Sequence, residues 1–250
     1  MNFADLTDAI QEPHNDGGGF SEKYINLRHK ENWLSSDTEV RNLPDVPPLH
    51  PHYKEWQMRM QSCKRLIHYL LKKDSPNILE VGCGNGWLSY QLARIPYSKV
   101  TGIDINTTEL VQAKRVFMYR SNLSFIWGDI RSGTLKNKRF DIVVLAAAIQ
   151  YFADLQNTLN YILANLMAPG GEIHLLDSPI YHLRNLSAAR SRSIAYYTNM
   201  GFPEMINYYY HHSLEDLRPF SYKILYNPLS LRYRIIKSRN PFYWIRIKNA

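Results

Sequence analysis

Cysteine is nearly absent. The 250-residue chain holds two, Cys63 and Cys83. Two thiols do not make the disulfide framework of a small secreted domain or a cysteine-rich zinc site, so the reducing cytoplasm is the expected compartment. No apolar run approaches the ~18–20 residues of a membrane span. The segment Met1–Gly19 is acidic and polar and lacks the apolar stretch of a secretory signal. Histidine offers no metal set. His211 and His212 are neighbours whose side chains diverge, and His50 and His52 have no evident third ligand, so no metal is expected. Internal repeats and low-complexity tracts are missing too. Acid is missing from residues 217–250, which carry Arg218, Lys223, Arg232, Arg234, Lys237, Arg239, Arg246 and Lys248. These eight account for the formal net charge of +8; the rest of the chain balances. A one-signed tail suits an acidic partner such as nucleic acid, anionic lipid or a phosphorylated metabolite. The alternation in Phe242–Lys248 equally reads as the solvated face of a last strand.

The most informative stretch that is present is Ile78-Leu79-Glu80-Val81-Gly82-Cys83-Gly84-Asn85-Gly86-Trp87. An apolar strand runs into a turn with glycine at every second position, and a helical segment follows. Such a turn lets backbone approach a ligand closely and aims a helix N-terminus at it. The dinucleotide fingerprint G-x-G-x-x-G would need glycine where Trp87 stands, which argues against a nicotinamide enzyme. Val100–Asp104 reads as a second strand ending in an acid. Asp104 follows Gly84 at the spacing where a Rossmann-like unit places a ribose-binding carboxylate. Asn106 reads as an N-cap with Glu109 as its capping-box partner. Further strands are expected over Leu123–Trp127, before Gly128-Asp129-Ile130, and over Phe140–Leu145, before Ala146–Phe152. A capped helix over Asp154–Met167 leads to Ala168-Pro169-Gly170-Gly171 and a fifth strand, Glu172–Asp177. An amphipathic helix over Lys54–Lys73 precedes the first strand, with Trp56, Met60, Cys63, Leu66, Ile67 and Leu70 at three- and four-residue steps.

Together these features resemble the class I S-adenosylmethionine (SAM)-dependent methyltransferases over residues 76–178. The E-x-G-x-G-x-G run is similar to that family's motif I, Phe140-Asp141 begins its strand-four motif, and Pro169-Gly170-Gly171 is a further mark. The resemblance implies a Rossmann-like α/β fold: a seven-stranded, mostly parallel sheet with helices on both faces and the last strand antiparallel. An N-terminal arm and a lid inserted after strand five would complete it. It implies SAM as cofactor, with S-adenosylhomocysteine (SAH) as product. The candidate cofactor residues are Glu80, Gly82, Cys83, Gly84, Gly86, Asp104, Ile105, Asp129, Ile130, Ala146 and Ile149. In the family an acid at the position of Asp129 often meets the adenine amino group.

Catalytic candidates are Tyr151, where many relatives carry histidine, Asp177 at the end of strand five, and His182 beyond it. The flanks read as one domain with the core. Residues 1–20 are expected to be mobile; 54–178 and 218–250 form the core, and 21–53 and 179–217 an irregular lid. A helix is expected over Ala188–Met200, a cap at Ser213, and strands six and seven over Phe220–Tyr226 and Phe242–Lys248. The expected activity is methyl transfer to an oxygen or nitrogen of a small molecule, which the basic tail would suit if it is anionic. The alternatives are an RNA or protein methyltransferase using that tail, although no Asn-Pro-Pro-Tyr-type motif follows strand four, and a SAM-binding protein without transfer activity.

Overall fold

The computed structural model describes residues 19–231 and 240–248. Of the expected mobile segment, residues 1–20, residues 1–18 lie outside the described residues, as do Arg232, Arg234, Lys237 and Arg239 of the basic tail, while Gly19 and Phe20 begin a helix.

Alternation of side chains along the strands sets the architecture. In β1 (Asn77–Val81), Ile78 faces one hydrophobic cluster while Leu79 and Val81 face another. In β4 (Phe140–Ala146), Ile142 and Val144 join the first cluster, Val143 and Leu145 the second. A strand apolar on both faces must be covered on both. One cover comes from α2 (Asp37–Asn42), α3 (Tyr53–Leu70), α4 (Trp87–Leu92) and α5 (Thr107–Phe117). The opposite cover is α6 (Leu155–Asn165), through Leu155, Leu159 and Ile162.

The sheet also contains β2 (Lys99–Asp104), β3 (Leu123–Trp127), β5 (Met167–Leu176), β8 (Tyr222–Tyr226) and β9 (Trp244–Lys248). Its order is β3-β2-β1-β4-β5-β9-β8. Pairs from β3 to β5 are parallel, and β9 runs antiparallel to both β5 and β8. This is the expected Rossmann-like sheet. The order reverses between β1 and β4, so a crevice opens beyond their C-terminal ends.

The fifth strand starts at Met167 and not at Glu172. Register jumps from Phe140↔Met167 to Ile142↔Glu172, so Ala168–Gly171 form a bulge inside the strand. The last strand turns charge inward: Arg246 and Lys248 reach Glu172 at 3.6 and 4.0 Å, beside Lys73 at 3.2 Å and the Tyr69 hydroxyl at 2.8 Å. Two cations of the basic tail therefore have an internal counter-charge.

The flanks are more regular than an irregular arm. Residues 20–53 include α1 (Phe20–Lys30) and α2, which starts on a Ser36–Glu39 capping box. Of α1 only Leu27 is buried, so the helix gives little periodic signal. After β5, the chain forms β6 (Ile180–Tyr181), α7 (Leu186–Met200) and β7 (His212–Ser213). Pairing of β6 with β7 closes the base of this insertion. Ser213 caps the next turn with Asp216, as its sequence suggests. Leu27 of α1, Tyr197 of α7 and Met205 form a separate small core above the strand ends. No described helix is long and apolar enough to cross a membrane.

Phe117 anchors α5. It is 1% exposed and stacks on Tyr90 with ring centroids 4.6 Å apart. Phe117→Ala should cost about 3–5 kcal/mol of stability, read as a lower urea midpoint with an unchanged slope. A loss below about 1 kcal/mol would show that the α5 packing is slack.

Candidate functional site

The crevice holds two cavities that share a wall. The first, about 390 Å³, lies over the glycine turn between the ends of β1, β2 and β4. Both Gly82 and Cys83 donate their N–H to the Ile103 carbonyl, at 2.9 and 3.2 Å, which pins the turn to β2. Gly82 has φ 72°, and a Cβ there would stand 2.9 Å from the Ala148 Cβ. Only glycine suits that conformation at that approach. Asp104 closes the other side: Oδ2 accepts the Gly84 N–H at 2.7 Å and Oδ1 the Asn106 N–H at 2.8 Å. Ile105 and Ile130 supply apolar wall, and Asp129 stands at the rim with Oδ1 accepting the Arg131 N–H. Phe20, Tyr24 and Tyr208 form an aromatic roof; Phe20 lies 5.3 Å from Tyr208 and 5.6 Å from Tyr151, centroid to centroid.

The second cavity, about 540 Å³, meets the first at Ala147 and Tyr151. Its walls come from α1, α3, α7 and the chain after β5, and include Arg28, Arg59, Asp177, Tyr197 and Tyr209. Arg28 donates to the Tyr151 hydroxyl at 3.0 Å and to Glu31 at 2.9 Å. Asp177 follows β5 directly, with φ 53°, an uncommon conformation for a residue with a side chain. Its Oδ1 accepts from the Ser62 hydroxyl and the Asn240 amide. Burial pushes its carboxyl above the usual range, against those two hydrogen bonds and the pull of Arg59.

A 90 Å³ extension runs under the glycine turn and touches Arg59, Gly84, Glu109 and Asp177. Glu109 enters it because the capping box is only half made. Asn106 Oδ1 accepts the Glu109 N–H at 3.0 Å, but the Asn106 N–H goes to Asp104. The Glu109 carboxylate is thereby freed to face Gly84, where a Cβ would lie 3.4 Å from either oxygen. Burial, then Asp104, push this carboxyl up to about 7.

Of the residues singled out in the sequence, Gly82, Gly84, Asp104, Ile105, Asp129, Ile130 and Tyr151 line the first cavity. Ala146 and Cys83 line the small extension, and Cys83 is otherwise buried, its Sγ packed under Gly102. Glu80 also reaches it, but its carboxylate takes the Ser89 hydroxyl, tying β1 to α4. Three placements differ from expectation. Gly86 lines none of these spaces; a Cβ there would strike Phe125 at 2.5 Å, so its glycine serves packing. Ile149 is fully buried in the core, and Ala147 and Ala148 form the wall instead, because the chain turns at Ala147 with φ 53°. His182 precedes a single turn, Leu183–Asn185, without a side-chain capping bond, and lines none of the three spaces. As site residues, Glu109, Arg28, Arg59 and the Phe20–Tyr24 roof were missed in the sequence. Phe20, Tyr24 and Arg28 recur at four-residue steps, and that spacing was their available signal.

A family model described as a methyltransferase domain matches residues 72–216, more than half of the chain. An uncharacterised methyltransferase of Mycobacterium tuberculosis is 37% identical over 109 residues, 43% of this chain and 53% of that protein. A malonyl-(acyl-carrier protein) O-methyltransferase of Acetivibrio thermocellus is 33% identical over 119 residues, 47% of this chain and 41% of that protein. The chain thus spans about half the length of the curated relatives it matches. Among solved structures, the geranyl diphosphate C-methyltransferase of Streptomyces coelicolor A3(2), bound to Mg²⁺, geranyl diphosphate and SAH, superposes with a TM-score of 0.61. The match covers 95% of this chain and 98% of that one at 13% identity. Magnesium protoporphyrin IX methyltransferase of Synechocystis PCC 6803, with bound SAH, gives 0.57 at 16% identity over 92% and 100%. At such identities these two likenesses concern the fold.

Glu80 supplies a test of the turn's electrostatics. Burial pushes its carboxyl up from 4.5 to about 8. The folded chain then keeps a proton that the unfolded chain releases near pH 4.5. Stability carried by that proton is complete below pH 4.5 and is lost as pH rises towards 8, by at most ~1.4 kcal/mol per pH unit. Glu80→Gln lacks the titration, so its melting temperature should gain on wild type between about pH 5 and pH 8. Parallel profiles would contradict this.

Proposed function

The chain belongs to the methyltransferase-domain family, and on that premise we propose that it transfers the methyl group of SAM to an oxygen or nitrogen of a small molecule held in the 540 Å³ cavity. The observation that carries this reading is the junction of the two cavities at Ala147 and Tyr151, with Asp177 beside it. The residues present fit the cofactor. A glycine cradle admits backbone-close approach, Asp104 offers a ribose acceptor, and Ile105 and Ile130 offer an apolar wall for adenine with Asp129 at its edge.

SAM brings a methyl group already activated by its sulfonium, so the protein's task is positioning more than strong acid–base help. Tyr151 spans both cavities, and its hydroxyl is oriented by Arg28. It would wall the junction and fix the acceptor's approach. Asp177 holds one oxygen on Ser62 and Asn240, leaving the other to accept the proton of an alcohol or amine. α1 and the 180–213 insertion would act as the lid. Their shared small core holds them together, and their closing would shield the junction from water while their opening would admit the acceptor. A concave acceptor site of about 540 Å³ suits a small molecule better than RNA or protein.

Calorimetry tests the reading. SAH should bind at one site per chain and NADH should not. Asp177→Asn should leave SAH affinity within about twofold, while lowering methyl transfer to alcohol or amine acceptors by ~10²-fold or more. Binding of NADH without SAH would sink the assignment. Unchanged transfer by Asp177→Asn would remove Asp177 from the chemistry.

A further inference from the structure

Charged groups around the 90 Å³ extension divide into satisfied and unsatisfied ones. Glu80 accepts from Ser89, and Asp104 in the adjoining cavity accepts two backbone N–H groups. Asp177 is held by Ser62 and Asn240, and Arg28 by Glu31 and Tyr151. Two side chains remain. Arg59 makes no hydrogen bond or ion pair among the described residues; its guanidinium lies over the faces of Trp33 and Trp56, 5.1 and 5.2 Å from their centroids. The Glu109 carboxylate likewise has no hydrogen-bonding or ion-pair partner there. Desolvation lowers the pKa of Arg59 from the ordinary arginine value and raises that of Glu109. Arg28 and then Arg59 pull the Glu109 carboxyl down, and Asp177 supports the charge on Arg59, yet neither Arg59 nor Glu109 closes into an ion pair among the described residues.

Removing a charge from water without pairing it is costly. Two opposite charges held apart in one small space therefore ask for a ligand that carries both signs. The space itself, bounded by Gly82, Gly84 and Asn85, is large enough for a few heavy atoms and too small for a ring system. It adjoins the 390 Å³ cavity, with Gly82, Gly84 and Glu109 lining both. Resting on the reading of SAM as methyl donor, we infer that Arg59 and Glu109 form a two-charge clamp for the donor's amino-acid end, Arg59 taking the α-carboxylate and Glu109 the α-ammonium. The clamp selects donors that keep the zwitterion. It also links donor binding to α3, which carries Arg59 and also Ser62, a holder of Asp177. Both residues are positioning residues; neither is assigned to the transfer step.

Calorimetry with three probes tests the clamp: SAH, decarboxylated SAM, and 5′-methylthioadenosine, which keeps the adenosine and sulfur but lacks the amino acid. Arg59→Met and Glu109→Gln should each weaken SAH about tenfold or more, while methylthioadenosine stays within about twofold of wild type. That second reading also shows that each variant is folded around an intact adenosine site. Decarboxylated SAM should be insensitive to Arg59→Met and still sensitive to Glu109→Gln. Arg59→Lys, which keeps charge but loses the planar fork, should fall between wild type and Arg59→Met. SAH affinity unchanged in both variants overturns the clamp, as does equal loss for SAH and methylthioadenosine. Failure of wild type to bind SAH overturns the methyl-donor reading itself, and the clamp with it.

Discussion

The Asp104 carboxylate accepts the Gly84 N–H with one oxygen and the Asn106 N–H with the other. That double acceptance joins three pieces: the glycine turn after β1, the end of β2 and the start of α5. It fixes the floor of the crevice, and it also diverts the Asn106 N–H from Glu109. The capping box stays half made, and a carboxylate that would have closed a helix end faces the crevice instead. One constraint thus places both an acceptor at the floor and a free charge under the turn. The Ile103 carbonyl, which takes the Gly82 and Cys83 N–H groups, holds the same turn from the strand side.

Above this floor the flanking helices wall the cleft. α1 brings Phe20, Tyr24 and Arg28 over the junction, and the 180–213 insertion brings Tyr197 and Tyr209 from the other side. Arg28 is central to that roof. Its guanidinium stacks on Tyr24 at 4.9 Å, donates to Tyr151 and pairs with Glu31. Tyr24, Tyr197 and Tyr209 have hydroxyls whose pKa burial pushes well above the ordinary range, so they remain neutral donors at any physiological pH. The roof therefore offers aromatic faces and neutral hydroxyls, while charge is concentrated at the junction.

The core was legible because its signals are local. The glycine turn, the acid that ends β2 and the apolar strands each occupy a few consecutive positions. Their order allows only one parallel series. Asp104, Gly82, Gly84 and Ile130, singled out from that series, line the first cavity. Gly86 and Ile149 were assigned to the ligand because spacing marks a turn without saying which way each residue faces; Phe125 and the buried core decided that. Arg59 and Glu109 sit on separate helices, with β1 and β2 between them in the chain, and meet only through the packing of α3 and α5 around the turn. α1 escaped detection because it buries a single side chain, Leu27, against Tyr197 and Met205 from the far end of the chain.

On the proposed reading, one continuous cleft would seat the donor over the glycine turn and present its reactive end to the second cavity, which meets the first at Ala147 and Tyr151. A crystal structure with SAH would show this outright. Adenine should lie between Ile105 and Ile130, ribose on Asp104, the amino-acid end between Arg59 and Glu109, and sulfur facing the cavity that Asp177 lines. Density for SAH elsewhere, or with its amino-acid end pointing out past Phe20 and Tyr208, would refute that arrangement.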